Sequence, residues 1–503
     1  MNSARLITLC LLLSGCSTKG TLQQLAVQFA DSVEQDRASR AQELYLNSIT
    51  KTKTKQPSPQ LKELCDAKAT AACELTGVPK WTPMIHPQDR LSIYQGLTTK
   101  TETYINVLRH KHQELVYLHY PLGAHDKAFR LKVDRRSSFP GSDWIVEQFH
   151  IKNLNPGVTY LFDVIDQQAN LIDRRQFKNL DLDKSKLRFS VSSCMNDHYA
   201  ESLAPMLQKL NGQNVDLHLF IGDNVYADKV RSLPAGPAHP EQLWDRYSQS
   251  RRTLSFYKEE ALTPVLAIWD DHDYGVNNGG ADYEYKGSAL EIFQQYFSQP
   301  ESPGVLRKGP GASFLFQAGK HRFAFMDDRY FRTPTKVDPN GVHWGKDQLS
   351  FFEQELLKSN EPVYLINGNQ FFGAYQKSES VEGYHPADFK KFRAKLRSTW
   401  PAVVFLSGDR HLLEIMKVQP KDVGYSTLEL TSSGIHADIT PASKNPRNPR
   451  QIFALYEPNY LVVESQVQGN LLKMKVKAFG QSPTEPEYLR HFRVSKSNAK
   501  SEK

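Results

Sequence analysis

From Lys186 onward the chain alternates between two kinds of hydrophobic pattern. Short apolar runs without strict alternation, "LRFSVSSC", "VDLHLFIGD", "TPVLAIWDDHD", "HRFAFMDDR", "PVYLINGN" and "AVVFLSGDRH", are separated by stretches with apolar positions at helical spacing, among them "AESLAPMLQKL", "SALEIFQQYF", "DQLSFFEQELLKS" and "ADFKKFRAKLRSTW". Such runs suit strands covered on both faces, and helices between them imply a largely parallel sheet core, an α/β fold. The chain then closes with β-rich segments, "STLELTSSG" and "YLVVESQVQGNLLKMKVKAFG".

The pattern upstream is different. From about Asp89 to Asp183, short alternating runs such as "ETYINVLRH", "ELVYLHY", "AFRLKVD", "WIVEQFHIKNL" and "TYLFDVID" follow one another with turn residues between them, which predicts an antiparallel sandwich. The stretch "NLNPGVTYLFDV" resembles the late turn and strand of a fibronectin type III module, a spacer to which no chemistry is assigned. Residues 22–50 place Leu25, Val27, Phe29, Val33, Leu44 and Leu46 at helical spacing among many charges, predicting an amphipathic helix. A Lys/Thr/Pro/Ser linker follows from Lys51 to Pro59, then a small helical cap to about Pro83. The end from Lys496 reads as a mobile basic tail.

Composition narrows the class. With 39% hydrophobic residues, 23% charged residues and a mean hydropathy of −0.54, neither an integral membrane protein nor a disordered chain fits the 503 residues. Lys and Arg number 63 against 55 acids, a mild excess of +8 that suits an anionic substrate or surface without requiring nucleic acid. The first apolar run, Leu6 to Leu13, is too short to span a membrane but has the length of a signal-peptide core. It sits behind Arg5 and ends in Leu13-Ser14-Gly15-Cys16, which resembles a bacterial lipoprotein signal whose cleavage leaves Cys16 as a lipidated N-terminus. Ser17, in place of Asp, resembles sorting to an outer membrane; an ordinary secretory signal is the alternative, and both predict export to the bacterial envelope. The expected divisions are therefore a signal at 1–15, a helical cap and linker at 16–84, a β-sandwich at 85–184, a catalytic domain at 185–495 and the tail at 496–503.

Five cysteines fit that export. Cys10 leaves with the signal, Cys16 carries lipid, and Cys65 and Cys73 lie in one short segment where an oxidising compartment allows them to pair. Cys194 is left over, either a small buried hydrophobe or a metal ligand.

The polar residues around it favour a ligand. The apolar runs end in Cys194, in Asp223 and Tyr226, in Asp270 to Asp273, and in Asp409 and His411. Ligands bind at the carboxyl ends of strands in open α/β sheets, so four separate segments aim metal-capable groups at one edge. A Gly-Asp after one strand is most often an ordinary turn; four such ends together are not. Asp223 has two oxygens and can bridge two ions, while a Tyr226 phenolate is a hard donor that favours ferric iron. His218 and His343 stand alone and read as core or surface groups, and Trp269 reads as core.

Taken in order, "SSCMND", "GDNVYAD", "AIWDDHDYGVNN", "FMDDRYFR", "LSGDRH" and "ELTSSG" resemble the PhoD-type alkaline phosphatases, calcineurin-like metallophosphoesterases in which a cysteine replaces the usual leading Asp-x-His. The resemblance covers about Lys186 to Gly480, and the preceding sandwich resembles the family's N-terminal domain. It implies a layered α-β-β-α core. It also implies metal ligation by Cys194, Asp223, Tyr226, Asp271, Asn277, Asp409 and His411, with Fe3+ bound by the thiolate and phenolate and Ca2+ beside it. Asn277 and Asn278 both qualify for the asparagine position, and Asp270 is either a helix cap or a carboxylate orienting a histidine. By the same resemblance His272 passes a proton to the leaving group and Arg329 lies near substrate phosphate. Arg332, Arg410, Asn367 and Asn369 are further candidates.

These residues predict an exported metal-dependent phosphoesterase that hydrolyses mono- or diesters through a metal-activated water. The alternatives are a phospholipase D-like diesterase acting on lipid head groups and a non-catalytic calcium-binding surface lipoprotein or adhesin. The expected partners are a phosphate-ester substrate and the membrane holding the lipid anchor.

Overall fold

The computed structural model describes residues 85–496, apart from 87–88, 125–126, 168–169, 231–235, 335–337, 339, 374–378, 443–447 and 483–484. The expected signal, Cys16, the helical cap with Cys65 and Cys73, and all of the tail except Lys496 lie outside the described residues. The described residues divide into two compact units: those up to Arg90 with His112–Lys132 and Val158–Phe177, and Leu91–Lys111 with Val133–Gly157 and those from Lys178 onward.

In the first unit, Val116–Pro121 pairs antiparallel with Phe129–Arg130 on one side and Thr159–Ile165 on the other, in a four-stranded sheet completed by Leu171–Lys178. Its polar centre is closed on itself. Tyr120 donates to Asp163 at 2.6 Å, and Arg174 grips the same carboxylate through Nε and Nη2 at 2.8 Å each. A buried carboxylate is tolerated when donors satisfy both of its oxygens.

The second unit holds three sheets. Ser92–Thr98, Thr103–His110, Trp144–Ile151 and Arg135–Ser138 form an antiparallel four-stranded sheet. Four of the five runs expected as strands before 184 form, "AFRLKVD" contributes only Phe129–Arg130, and the strands are distributed over two sheets. The six-stranded sheet runs Val265–Ile268, Leu217–Ile221, Lys186–Ser192, Tyr460–Gln468, Leu471–Phe479, Tyr488–Ser495. Its first three strands are parallel and its last three antiparallel. The eight-stranded sheet has His321–Phe325, Val363–Asn367, Val403–Ser407 and Thr427–Ser432 in parallel at its centre.

The parallel strands are the near-continuous apolar runs of the sequence, and all five residues of Leu217–Ile221 and of Val403–Ser407 are buried. Helices Ala200–Asn211, Pro240–Thr253, Lys286–Tyr296, Lys346–Leu356 and Pro386–Ser398 lie between strands where the 3.6-residue periodicity places helices. The two larger sheets meet through aromatic side chains. Phe189 sets its ring edge-on to Phe323 and Tyr364, with centroids 5.2 and 5.1 Å away, and Tyr364 donates to Ser465 at 2.7 Å. Among the described residues no helix is long and apolar enough to cross a membrane.

Candidate metal centre

Each parallel strand that matters for chemistry stops in a sharp turn. Eight non-glycine residues have positive φ among the described residues, and six of them, Cys194, Asp223, Asn278, Glu379, Asp409 and His411, gather in one place. L-residues pay a steric cost there, so the concentration marks a site where the surrounding structure holds side chains in set directions. Close backbone approach accompanies it. A Cβ on Gly222, whose φ is 110°, would stand 2.6 Å from Asp270 Cβ, and one on Gly408 would stand 2.6 Å from Ser193 Oγ.

One corner is built from sulfur, phenol and imidazole. Cys194 Sγ lies 3.4 Å from Asp223 Oδ2 and 3.1 Å from Ser433 Oγ. The Tyr226 hydroxyl lies 3.0 Å from His411 Nε2, and the His411 backbone N–H donates to Ser433 at 2.7 Å. Ligand atoms of Cys194, Asp223 and His411 fall within 4.8 Å of one another. Burial pushes the Cys194 thiol, the Asp223 carboxyl and the Tyr226 phenol upward, with mutual repulsion adding to the last two. Burial lowers His411, keeping its imidazole in the neutral form that binds metal.

The other corner is carboxylate. Ligand oxygens of Asp223, Asp270, Asp271 and Asp409 also lie within 4.8 Å of one another. Asp270 caps the short helix Asp271–Tyr274 in a capping box with Asp273 and accepts from Arg329 Nε at 2.5 Å. Asp271 accepts the Asn278 N–H at 2.6 Å. Although burial works against it, Arg329, His272 and that hydrogen bond hold Asp271 below the usual carboxylate range. Arg329 is fully buried, with Asp271 3.9 Å from its Nη1 and Asp328 3.5 Å from its Nε.

The donor set fits bound cations. Asp270 Oδ2, Asp271 Oδ1 and Asp328 Oδ1 are buried without a hydrogen-bond donor among the described residues, and the Arg329 guanidinium is set against four carboxylates, those of Asp270, Asp271, Asp328 and Asp409. Bound cations would favour the ionised forms of those acids and reverse the upward shifts. Carboxylate oxygens suit hard ions, while a thiolate, a phenolate and an imidazole suit a transition metal.

Of the residues singled out in the sequence, Cys194, Asp223, Tyr226, Asp271, Asp409 and His411 come together here, with Asp270 among them. Asn277 and Asn278 are both exposed. The Asn277 backbone N–H binds Asp228 at 3.1 Å, and the Asn278 side chain accepts from Tyr384. His272 stacks on Tyr226 with ring centroids 4.2 Å apart. Asn369 donates to Asp409 at 2.7 Å and accepts from Arg332 at 3.3 Å, while Asn367 binds Asp328 at 3.1 Å. Arg410 is buried. His218 is a core group against Ser190, and His343 faces His385.

Three residues were not singled out. Asp228 holds His272 Nδ1 at 2.6 Å, Ser433 links Cys194 to His411, and Glu379 lies beside Asp409, whose charge together with burial pushes its carboxyl up to about 9. Asp228 lies inside "GDNVYAD", two residues past Tyr226, where an acid following the ligands is a visible signal.

The family model for PhoD-like phosphatases matches residues 189–478. Among solved structures, the fold is similar to that of PhoD, with a TM-score of 0.57 and 16% sequence identity over 82% of this chain and 90% of that one. The sensor domain of the anti-sigma factor RsgI4 in Pseudobacteroides cellulosolvens aligns over 18% of this chain and 89% of that one at 19% identity. Its TM-score is 0.15. Among curated proteins none matches this chain.

Proposed function

The chain belongs to the PhoD-like phosphatase family, metal-dependent hydrolases of phosphate esters, and from that premise we propose that it is an exported phosphomonoesterase or phosphodiesterase working with Fe3+ and Ca2+. The observation that carries this reading is the convergence of Cys194, Asp223, Tyr226, Asp271, Asp409 and His411. In it, Cys194, Asp223, Tyr226 and His411 would hold iron. Asp223, Asp271 and Asp409, with Asn277 or Asn278, would hold calcium. The ions would supply an acidified water and relief of charge on the phosphoryl oxygens.

The chain's own groups do the rest. Asp228 fixes the His272 ring through Nδ1, which leaves Nε2 to deliver a proton to the leaving group. Arg329 is anchored by Asp270, and its Nη1 has no hydrogen-bond partner among the described residues, so that edge is the one offered to a phosphoryl oxygen. A cavity of about 550 Å³ lined by Asn277, Asn278, Tyr285, Arg332 and Tyr384 adjoins the site. Room for an organic arm favours diesters, including the phospholipase D-like reading on lipid head groups.

We also read the two large sheets as the inner layers of an α-β-β-α core, supported by the Phe189, Phe323 and Tyr364 contacts, and the strands before 184 as a fibronectin III-like sandwich. The divisions at 1–15, 16–84, 85–184, 185–495 and 496–503, and lipidation at Cys16, belong to the same proposal. Mass analysis of the mature N-terminus should find an acylated Cys16; a chain still starting at Met1 contradicts it.

The function is tested by elemental analysis together with rates on bis-p-nitrophenyl phosphate, a monoester and phosphatidylcholine. Iron and calcium in the purified protein, with activity lost on chelation, are expected. Iron-free protein whose rates survive Cys194→Ala overturns the iron assignment, and inactivity on all three esters overturns the enzyme.

A further inference from the structure

The outer strands of the six-stranded sheet carry a charge pattern that the phosphoesterase reading does not use. Their register sets residues in rows: Arg188, Glu464, Lys475 and His491 in one, Lys186, Gln466, Lys473 and Arg493 in the next, with Lys477 opposite Leu489 beyond them. Side chains alternate across a strand, so Lys473, Lys475 and Lys477 share one face while Leu472, Met474 and Val476 are buried on the other.

That face therefore gathers six cations, Lys186, Arg188, Lys473, Lys475, Lys477 and Arg493, against one carboxylate, Glu464. Glu464 sits 3.3 Å from Lys477 and 3.8 Å from Arg188. Despite some burial, Lys477, Lys475 and Arg188 hold its carboxyl below the ordinary range. Lys186, Lys473, Lys475 and Arg493 have no ion pair among the described residues, and together with Glu464 and His491 they line a shallow groove of about 480 Å³. Like charges set directly across a ladder destabilise a sheet, so Lys473 opposite Arg493 is a cost that folding does not explain.

The chemistry of the face selects its partner. It is an array of cations spread over several strands, the complement of a layer of phosphates, and Leu489, 45% exposed, projects beside the cations as an apolar group able to enter a headgroup layer. The outward positions of these rows carry His491 as their single ring and no Phe, Tyr or Trp, whereas single-stranded nucleic acid is held on platforms of several stacked aromatics. We propose that this face docks on an anionic phospholipid surface through the lipid phosphates. The proposal is independent of the catalytic reading.

The test uses the whole chain carrying Cys16→Ser, so that acylation plays no part, and sedimentation with vesicles of phosphatidylcholine alone or mixed with phosphatidylglycerol. Binding at least about tenfold stronger to the mixed vesicles is expected, falling steeply with salt and lost in Lys473→Glu/Lys475→Glu. Equal binding to both vesicles, salt-independent binding, or a folded charge-reversal variant that binds like the parent overturns it. So does retention on DNA without binding to mixed vesicles. Circular dichroism reports whether the variant is folded; where it is not, Lys473→Gln/Lys475→Gln and the salt series on the parent decide. Soluble-ester hydrolysis, measured alongside, reports on the catalytic reading separately.

Discussion

The hydroxyl of Tyr226 lies 3.0 Å from Nε2 of His411, 185 residues further along the chain. The two belong to the ends of strands in different sheets, Leu217–Ile221 and Val403–Ser407. Cys194, from a third strand end, joins them through Ser433. A tyrosinate and a thiolate on one ferric ion absorb visible light by charge transfer. The purified protein is expected to be coloured, with the band lost or shifted in Tyr226→Phe; an identical spectrum in the variant removes Tyr226 from the ligand set.

Asp228 and His272 act as a pair. The 2.6 Å contact to Nδ1 fixes both tautomer and ring direction, so Asp228→Asn should lower kcat roughly 10- to 100-fold. His272→Ala should cost more, about 100- to 10,000-fold. Steady-state kinetics of the two variants and their combination check this: the double variant should be no slower than His272→Ala alone, and independent multiplication of the two losses would separate them.

Gly222 lets two strand ends close. Its φ of 110° and the 2.6 Å gap between a built Cβ and Asp270 Cβ leave no room for alanine, and Asp270 carries the ion pair to Arg329. Gly222→Ala should destabilise the chain by about 2 kcal/mol or more, read from the unfolding midpoint. An unchanged midpoint would show that Asp270 can move freely.

Much of this arrangement was legible in the sequence because strands buried on both faces read as unbroken apolar runs, and the change to Cys, Asp, Tyr or His at their ends is abrupt. Cys194 stood between buried hydrophobe and ligand; the structure shows it fully buried and also against Asp223. What stayed hidden depends on chain-distant proximity. Alternation placed the strands before 184 but could not say which would pair, and they divide between two sheets. Arg329 sits in a sequence that gives no sign of Asp270, 59 residues away, as its partner. Glu379 is an isolated acid whose importance comes only from lying beside Asp409.

Glu429 supplies a pH dependence away from the metal ligands. It accepts from the backbone N–H groups of Phe371 and Phe372 at 2.7 and 2.9 Å and from Ser407 at 2.7 Å, yet burial pushes its carboxyl from 4.5 up to about 7. Below about pH 4.5 both folded and unfolded chains hold this proton. Between there and about 7 only the folded chain does, so this group's contribution to stability falls as pH rises through that window and is flat above it. Glu429→Gln should remove a decline on the order of 3 kcal/mol. Unfolding midpoints at a series of pH values check it, and a parental slope that persists in the variant contradicts it.

The central claim is that strand ends brought together around Asp223 cleave phosphate esters, and Asp223 is the residue shared by every candidate ligand group among the described residues. The most direct test is the rate of p-nitrophenol release from bis-p-nitrophenyl phosphate by folded Asp223→Asn protein. A loss beyond the roughly 100-fold ceiling of changes outside the ligand shell is predicted. A rate within about twofold of the parent, less than the smallest loss expected of an outer-shell change, would contradict the account.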